Sequence, residues 1–189
     1  MSSEPTDRAL VRRFQSGDQH AFVELMQRHE RRIYNLAYRM LGRTEDARDA
    51  TQDAFLSCFR HLGSFRGDSS FSTWIHRIAM NACYDFLRKR APTVSLEDRI
   101  SDPAPVPDHA ERTALATDVQ RALMRVPPEF RAALVMHEVL DLPVDAIAQA
   151  LEIPIGTVKS RLHRGRVALG RILAGEPEQV PAPSKPPTP

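Results

Sequence analysis

The stretch PIGTVKSRLHRGR, residues 154–166, carries four cations, Lys159, Arg161, Arg164 and Arg166, together with His163 and no carboxylate. Extending it to Gly175 adds Arg171 and still no acid, although Lys and Arg outnumber Asp and Glu in the whole chain by only 26 to 24. The chemistry such a run could do is recognition of nucleic acid. Arg and Lys bond guanine in the major groove and phosphate oxygens along the backbone, and Ser160 and His163 can make shorter contacts. A helix face built for solubility would intersperse both signs and gain from Glu-to-Lys pairs four residues apart. Catalytic patterns are missing: the seven histidines (20, 29, 61, 76, 109, 137 and 163) show no metal-ligand spacing such as His-Glu-x-x-His, and there is neither a phosphate-cradling glycine loop nor a nucleophile elbow. Cys58 and Cys83 fall at apolar positions of helical patterns and read as small core residues. The reading therefore has no catalytic residue, metal or cofactor, and an enzyme such as a helical nuclease is disfavoured.

To reach DNA, those side chains need a rigid support, and the spacing supplies one. Residues 143–151 form a short amphipathic segment, 152–154 a tight turn, and 155–173 a longer helix, which together make a helix-turn-helix. In such a motif the second helix enters the major groove with its first turns toward the base edges. Val158, Leu162 and Leu169 point inward on a helical wheel, and Lys159, Ser160, His163, Arg164 and Arg166 lie on or beside the outer face. Lys159, Ser160, His163 and Arg164 are the candidates for base edges, and Arg161 and Arg166 for the backbone. Gly165 and Gly170, unfavourable inside a helix, allow two explanations: close approach to DNA or a fraying end.

Almost every periodic segment of the chain has helical spacing, so the fold class is all-α: two small helical domains joined by a flexible linker, the second containing the helix-turn-helix. The first domain, 7–90, begins with a short helix near 7–15. The next helix follows Gly17-Asp18, has its apolar stripe at Phe22, Leu25, Met26, Ile33, Leu36 and Met40, and ends at Gly42. Thr44 can cap a third helix striped by Ala47, Ala50, Ala54, Cys58 and Leu62, with Glu45 and Asp46 in its first turn. After the polar loop GSFRGDSS (63–70), a helix near 71–90 is expected to bury Trp74, Ile75, Ile78, Ala82 and Phe86. The composition then changes: prolines at 92, 103, 105 and 107 mark 91–110 as the linker. The second domain, 111–174, reads as four helices punctuated by Pro127-Pro128, Pro143 and Pro154. A proline-rich tail, 175–189, reads as disordered. Apolar residues, at 42%, suffice for ordinary cores, and no segment nears the roughly 20 apolar residues that span a bilayer. With no signal-like apolar run in MSSEPTDRAL, the expected compartment is the cytoplasm.

GTVKSRLHRGR resembles the end of the fourth conserved region of the small bacterial sigma factors of the extracytoplasmic-function (ECF) group, with its Gly-Thr-Val-basic-Ser-Arg pattern. EDARDATQDAFL (45–56) and FRGDSSFSTWIHRIAMNACYDFLRKR (65–90) are similar to the second region of the same family, in the same order, so the resemblance covers about residues 10–174. It implies a subunit that binds core RNA polymerase and directs it to minus-thirty-five and minus-ten promoter elements. It adds Thr157 to the duplex-reading set and places capture of the separated minus-ten strand on Phe65, Arg66, Gly67, Asp68, Ser69 and Ser70, with Arg77, Asn81 and Arg88 along the following helix. Docking on the polymerase falls to Asp46, Asp49, Gln52, Asp53 and Phe55. The implied partners are the β′ clamp helices and β flap of core polymerase, promoter DNA, and an anti-sigma factor of the kind that holds many relatives inactive. The sequence departs from the family pattern at Pro143 and Ala146, so capping of the first motif helix differs. A stand-alone dimeric regulator is the rival binding protein, but it predicts a coiled coil or sensor pocket for which the first domain has no pattern.

Overall fold

The computed structural model describes residues 5–90 and 110–175, with side chains described from 117 onward in the second segment. The expected linker, apart from Ala110, lies outside the described residues, as does the tail beyond Gly175. Every regular element among the described residues is helical. The first half holds α1 (Asp7–Gln15), α2 (His20–Leu41), α3 (Thr44–Leu62) and α4 (Phe71–Arg90); the second holds α5 (Ala110–Arg125), α6 (Pro128–Leu134), α7 (Val144–Leu151) and α8 (Ile155–Leu173). A π-helical turn, Val135–Val139, continues α6; there the Leu140 amide donates five residues back to the Val135 carbonyl at 3.2 Å.

Local chemistry sets most of these boundaries. The Thr6 hydroxyl accepts from the Ala9 amide at 3.3 Å, starting α1. Gly42, at φ 79°, closes α2 in the left-handed region that a residue without Cβ enters freely. The expected Thr44 cap is not formed: Arg43 takes the N-cap position without a side-chain bond, and Thr44 is already the first helical residue. The entry is supported instead by Asp46 in the first turn of α3, which pairs with Arg90 in the last turn of α4 at 2.5 Å. Each charge thus sits at the helix end whose dipole favours it. Ser70 caps α4, its hydroxyl accepting from the Thr73 amide at 3.0 Å.

Ala47, Ala50, Ala54, Cys58 and Leu62 are all buried, and this small-residue stripe lets α2 and α4 pack closely on α3. Burial pushes both thiols, Cys58 and Cys83, up to about 12, as fits inert core residues. The expected inner face of α4 needs correction. Its fully buried residues are Phe71, Thr73, Ile75, His76, Ala79, Met80 and Cys83, whereas Trp74, Ile78, Ala82 and Phe86 are half-buried. α4 packs against α2, α3 and α7, and Trp74 and Ile78 stay half-buried because they border a cavity rather than the core.

The two halves join through polar side chains as well as apolar ones. Arg131, only 4% exposed, donates to the carbonyls of Met124 (2.8 Å), Val126 (2.9 Å) and, across the halves, Met40 (2.5 Å). Met124 and Met40 lie in the last turns of α5 and α2, whose carbonyls carry partial negative charge. Nearby, buried Gln120 accepts from Arg39 at 2.8 Å and donates to the Tyr38 carbonyl at 3.1 Å.

Candidate nucleic-acid interface

The loop after α3 is held from below. Gln15, at the end of α1, donates to the carbonyls of Leu62 (3.2 Å) and Phe65 (2.9 Å), fixing the point where the loop leaves the helix. Phe65 packs on Trp74 with ring centroids 4.8 Å apart, and both lie against buried Phe71. Gly67 turns the loop at φ 80°, a conformation that a side chain would strain. The result is a polar cavity of about 830 Å³. Phe65, Arg66, Gly67, Asp68 and Ser69 line it from the loop, and Arg77 and Asn81 from α4. Seven of the nine residues expected to capture the strand are thereby brought together. Ser70 is spent on the α4 cap, and Arg88, further along the helix, pairs with Asp85 on an exposed turn. Sequence reasoning missed Trp74 as a wall, having placed it in the core; an aromatic three residues from Phe71 and beside a polar loop was the available signal. It also missed that Gln149 and Glu152 of the other half complete the rim.

A second cavity, of about 720 Å³, lies between α2 and α3 and is mostly apolar. Gln52 and Phe55 line it with Met26, Leu56 and Phe59, and Leu56 and Phe59 remain exposed at its mouth. Asp49 and Asp53 are exposed on the same helix. Asp46, half-buried in the first turn of that helix, pairs its carboxylate with Arg90. The apolar lip was legible as Phe55, Leu56 and Phe59 standing off the alanine stripe, but only Phe55 was singled out.

The outer face of α8 exposes Lys159, Ser160, His163 and Arg166, while Thr157, Arg161 and Arg164 are half-buried. Two positions differ from the expected picture. Arg166 is bound by Glu138 of the π-helical turn, at 2.9 and 2.7 Å, so an acid distant in sequence does balance part of the run. Arg161 lines a crevice with Tyr84 of α4 and Glu129 of α6. Burial raises the Tyr84 phenol above its ordinary value, with Arg161 pulling the other way. Gly165 is explained by neither DNA nor fraying: it is buried, and a Cβ there would meet Leu134 Cγ at 2.8 Å and the Phe130 carbonyl at 3.2 Å. Its role is to let α8 cross α6 closely. Gly170 has open space around it.

A helix-turn-helix on one half, and on the other a polar cavity with aromatic walls, define an all-helical DNA-binding protein of two parts. Comparison with known proteins makes this specific. Residues 25–93 match the family model for Sigma-70 region 2, and residues 116–169 that for Sigma-70, region 4. The ECF RNA polymerase sigma factor SigM of Mycobacterium tuberculosis is 46% identical over 173 residues, covering 90% of this chain and 86% of that protein. Among solved structures, CnrH in complex with the cytosolic domain of CnrY shares the fold over 90% of this chain and 99% of its own, with TM-score 0.70 and 24% identity. The sigma factor RpoE of Bartonella quintana, solved in complex with the anti-sigma factor NepR, covers 82% of this chain and 96% of its own, with TM-score 0.66 and 22% identity. The chain belongs to the ECF group of the sigma-70 family and is a promoter-directing transcription initiation factor. No helix among the described residues is long and apolar enough to cross a membrane.

Proposed function

We propose that this sigma factor acts in the cytoplasm as a non-catalytic specificity subunit. Its first domain (7–90) docks on core polymerase and captures the minus-ten strand, and its second (111–174) reads the minus-thirty-five duplex. The linker (91–110) turns two modest binding events into one through effective concentration on the polymerase. The observation that carries this reading is the cavity under the FRGDS loop. Holding a base out of the stack takes aromatic or apolar walls and hydrogen-bonding groups, and Phe65, Trp74, Arg77 and Asn81 supply both around one concavity. The outer face of α8 supplies the duplex contacts through Lys159, Ser160 and His163, with Arg164 at its edge. The groove between α2 and α3, with its apolar lip and flanking Asp49 and Asp53, suits a helical partner of basic character such as the β′ clamp helices. On family resemblance, the second domain contacts the β flap and an anti-sigma factor holds the protein inactive.

In vitro transcription with core polymerase on a library of promoter sequences tests the whole reading: a shared pair of elements should emerge among the templates used. Tight, sequence-specific binding to duplex without core polymerase would instead favour a stand-alone regulator. Gln52→Ala and Asp49→Ala should weaken core binding without touching DNA contacts, and normal core affinity in both would reject that docking face.

A further inference from the structure

The strand cavity is not open on all sides. Arg77 Nη1 lies 2.8 Å from Glu152 Oε1, and Glu152, with Gln149, closes the rim from the helix-turn-helix. Asn81 stands in the same junction, lining both the strand cavity and the crevice that Arg161 enters. Glu152 is also unusual in its backbone, sitting at φ 53° in the turn between α7 and α8, a left-handed conformation that disfavours residues with a side chain. A glycine would relieve the turn but could not neutralise Arg77. Because α4 packs directly on α7, the strand cavity meets the first helix and turn of the helix-turn-helix on that side, while the outer face of α8 stays exposed.

We infer that Glu152 is an autoinhibitory latch: its carboxylate stands in for a strand phosphate on Arg77 and keeps that guanidinium from single-stranded DNA until the halves part. The inference rests on the strand-capture reading of that cavity. Closure and strand binding then compete for the same guanidinium, so whatever separates the halves raises strand affinity, and a bound strand favours separation. The ion pair is partly exposed and weak alone, so replacing the anion by a cation, which sets two like charges face to face, is a stronger perturbation than deleting it.

The test uses the full chain and a fluorescein-labelled random pool of single-stranded 12-mers. Glu152→Arg is compared with Glu45→Arg, an equal charge change at an exposed position at the far end of α3. Small-angle scattering should show a larger radius of gyration for Glu152→Arg alone, and anisotropy should show three- to tenfold tighter pool binding than for Glu45→Arg. Combining Arg77→Glu with Glu152→Arg should restore the compact form. An unchanged radius in Glu152→Arg overturns the latch whatever the DNA result. A larger radius with no gain over Glu45→Arg overturns masking, and traces the failure to the strand-capture reading rather than to the closure.

Discussion

The strand cavity and the outer face of α8 meet similar chemistry with opposite shapes. The cavity is concave, mixes aromatic rings with both signs of charge, and is assembled from a loop, a helix and the rim of another half. The α8 face is convex and solvent-exposed, and its helix depends on close packing beneath it. On the proposed assignment the contrast follows from the targets. A separated strand exposes base faces that must be enclosed, whereas a duplex offers edges and phosphates that a protruding helix can reach. Enclosure also makes the cavity sensitive to how the halves sit, and the α8 face sensitive chiefly to its own support.

The largest way to break that contrast is to unseat Arg131. Arg131→Met leaves the carbonyls of Met40, Met124 and Val126 without their donor, and about 2 to 4 kcal/mol of stability should be lost in urea unfolding. An unchanged midpoint would show that the buried guanidinium does not hold the halves together. Acid should act next, on the support of the cavity. His76 is fully buried in α4, its Nδ1 donates to the Ser72 carbonyl at 2.6 Å, and burial lowers it to about 4, with His29 and Arg32 adding to the effect. The folded chain therefore resists a proton that the unfolded chain accepts near 6.5. That contribution is complete above pH 6.5 and falls away as pH drops toward 4, by up to about 3 kcal/mol. In His76→Gln the slope of stability against pH across this window should flatten, even if the variant is less stable at pH 7.

Gly165→Ala addresses the other side of the comparison. Its Cβ would press on Leu134 and the Phe130 backbone, so about 1 to 3 kcal/mol should be lost in thermal unfolding, with the α8 face disturbed before the cavity. Gly170→Ala, facing open space, should be neutral or slightly stabilising. The smallest effects should be the most informative. In the polymerase-bound state, Phe65→Ala should weaken minus-ten strand capture by about 1 kcal/mol and leave minus-thirty-five binding intact. Lys159→Ala should do the reverse, weakening duplex binding by about 1 kcal/mol and relaxing base preference at the position it reads. Equal losses at both elements in either variant would erase the distinction between the two surfaces.

Much of this was legible because the signals are local. Gly42, Pro128, Pro143 and Pro154 punctuate the helices wherever they pack, and the alanine stripe of α3 could only face inward. The FRGDS residues converge because five are consecutive and Arg77 and Asn81 lie one turn apart. What was not legible depends on partners far away in sequence. Periodicity marks apolar positions without saying whether they meet a core or a cavity, so Trp74 and Ile78, which line the cavity, read as core positions of α4. Gly165 looked like a defect in α8 until α6 lay across it. Arg166 looked unopposed because Glu138 is 28 positions away, and the pairing of Asp46 was invisible because Arg90 is on another helix. The contact of Arg77 with Glu152 spans a connector whose composition says nothing of where it returns.

The π-helical turn at Val135–Val139 has a consequence for chain length. Such a turn holds one residue more than an α-helical turn, so the segment behaves as a lodged insertion. Deleting one residue between 135 and 139 would allow regular bonding to resume and would swing neighbouring side chains by about 100° around the axis. Glu138 would leave Arg166, and the outer face of α8 would gain a free cation although no residue of α8 had changed. A one-residue gap at this point, in any aligned pair of chains, is therefore a change in the charge carried by the outer face of α8.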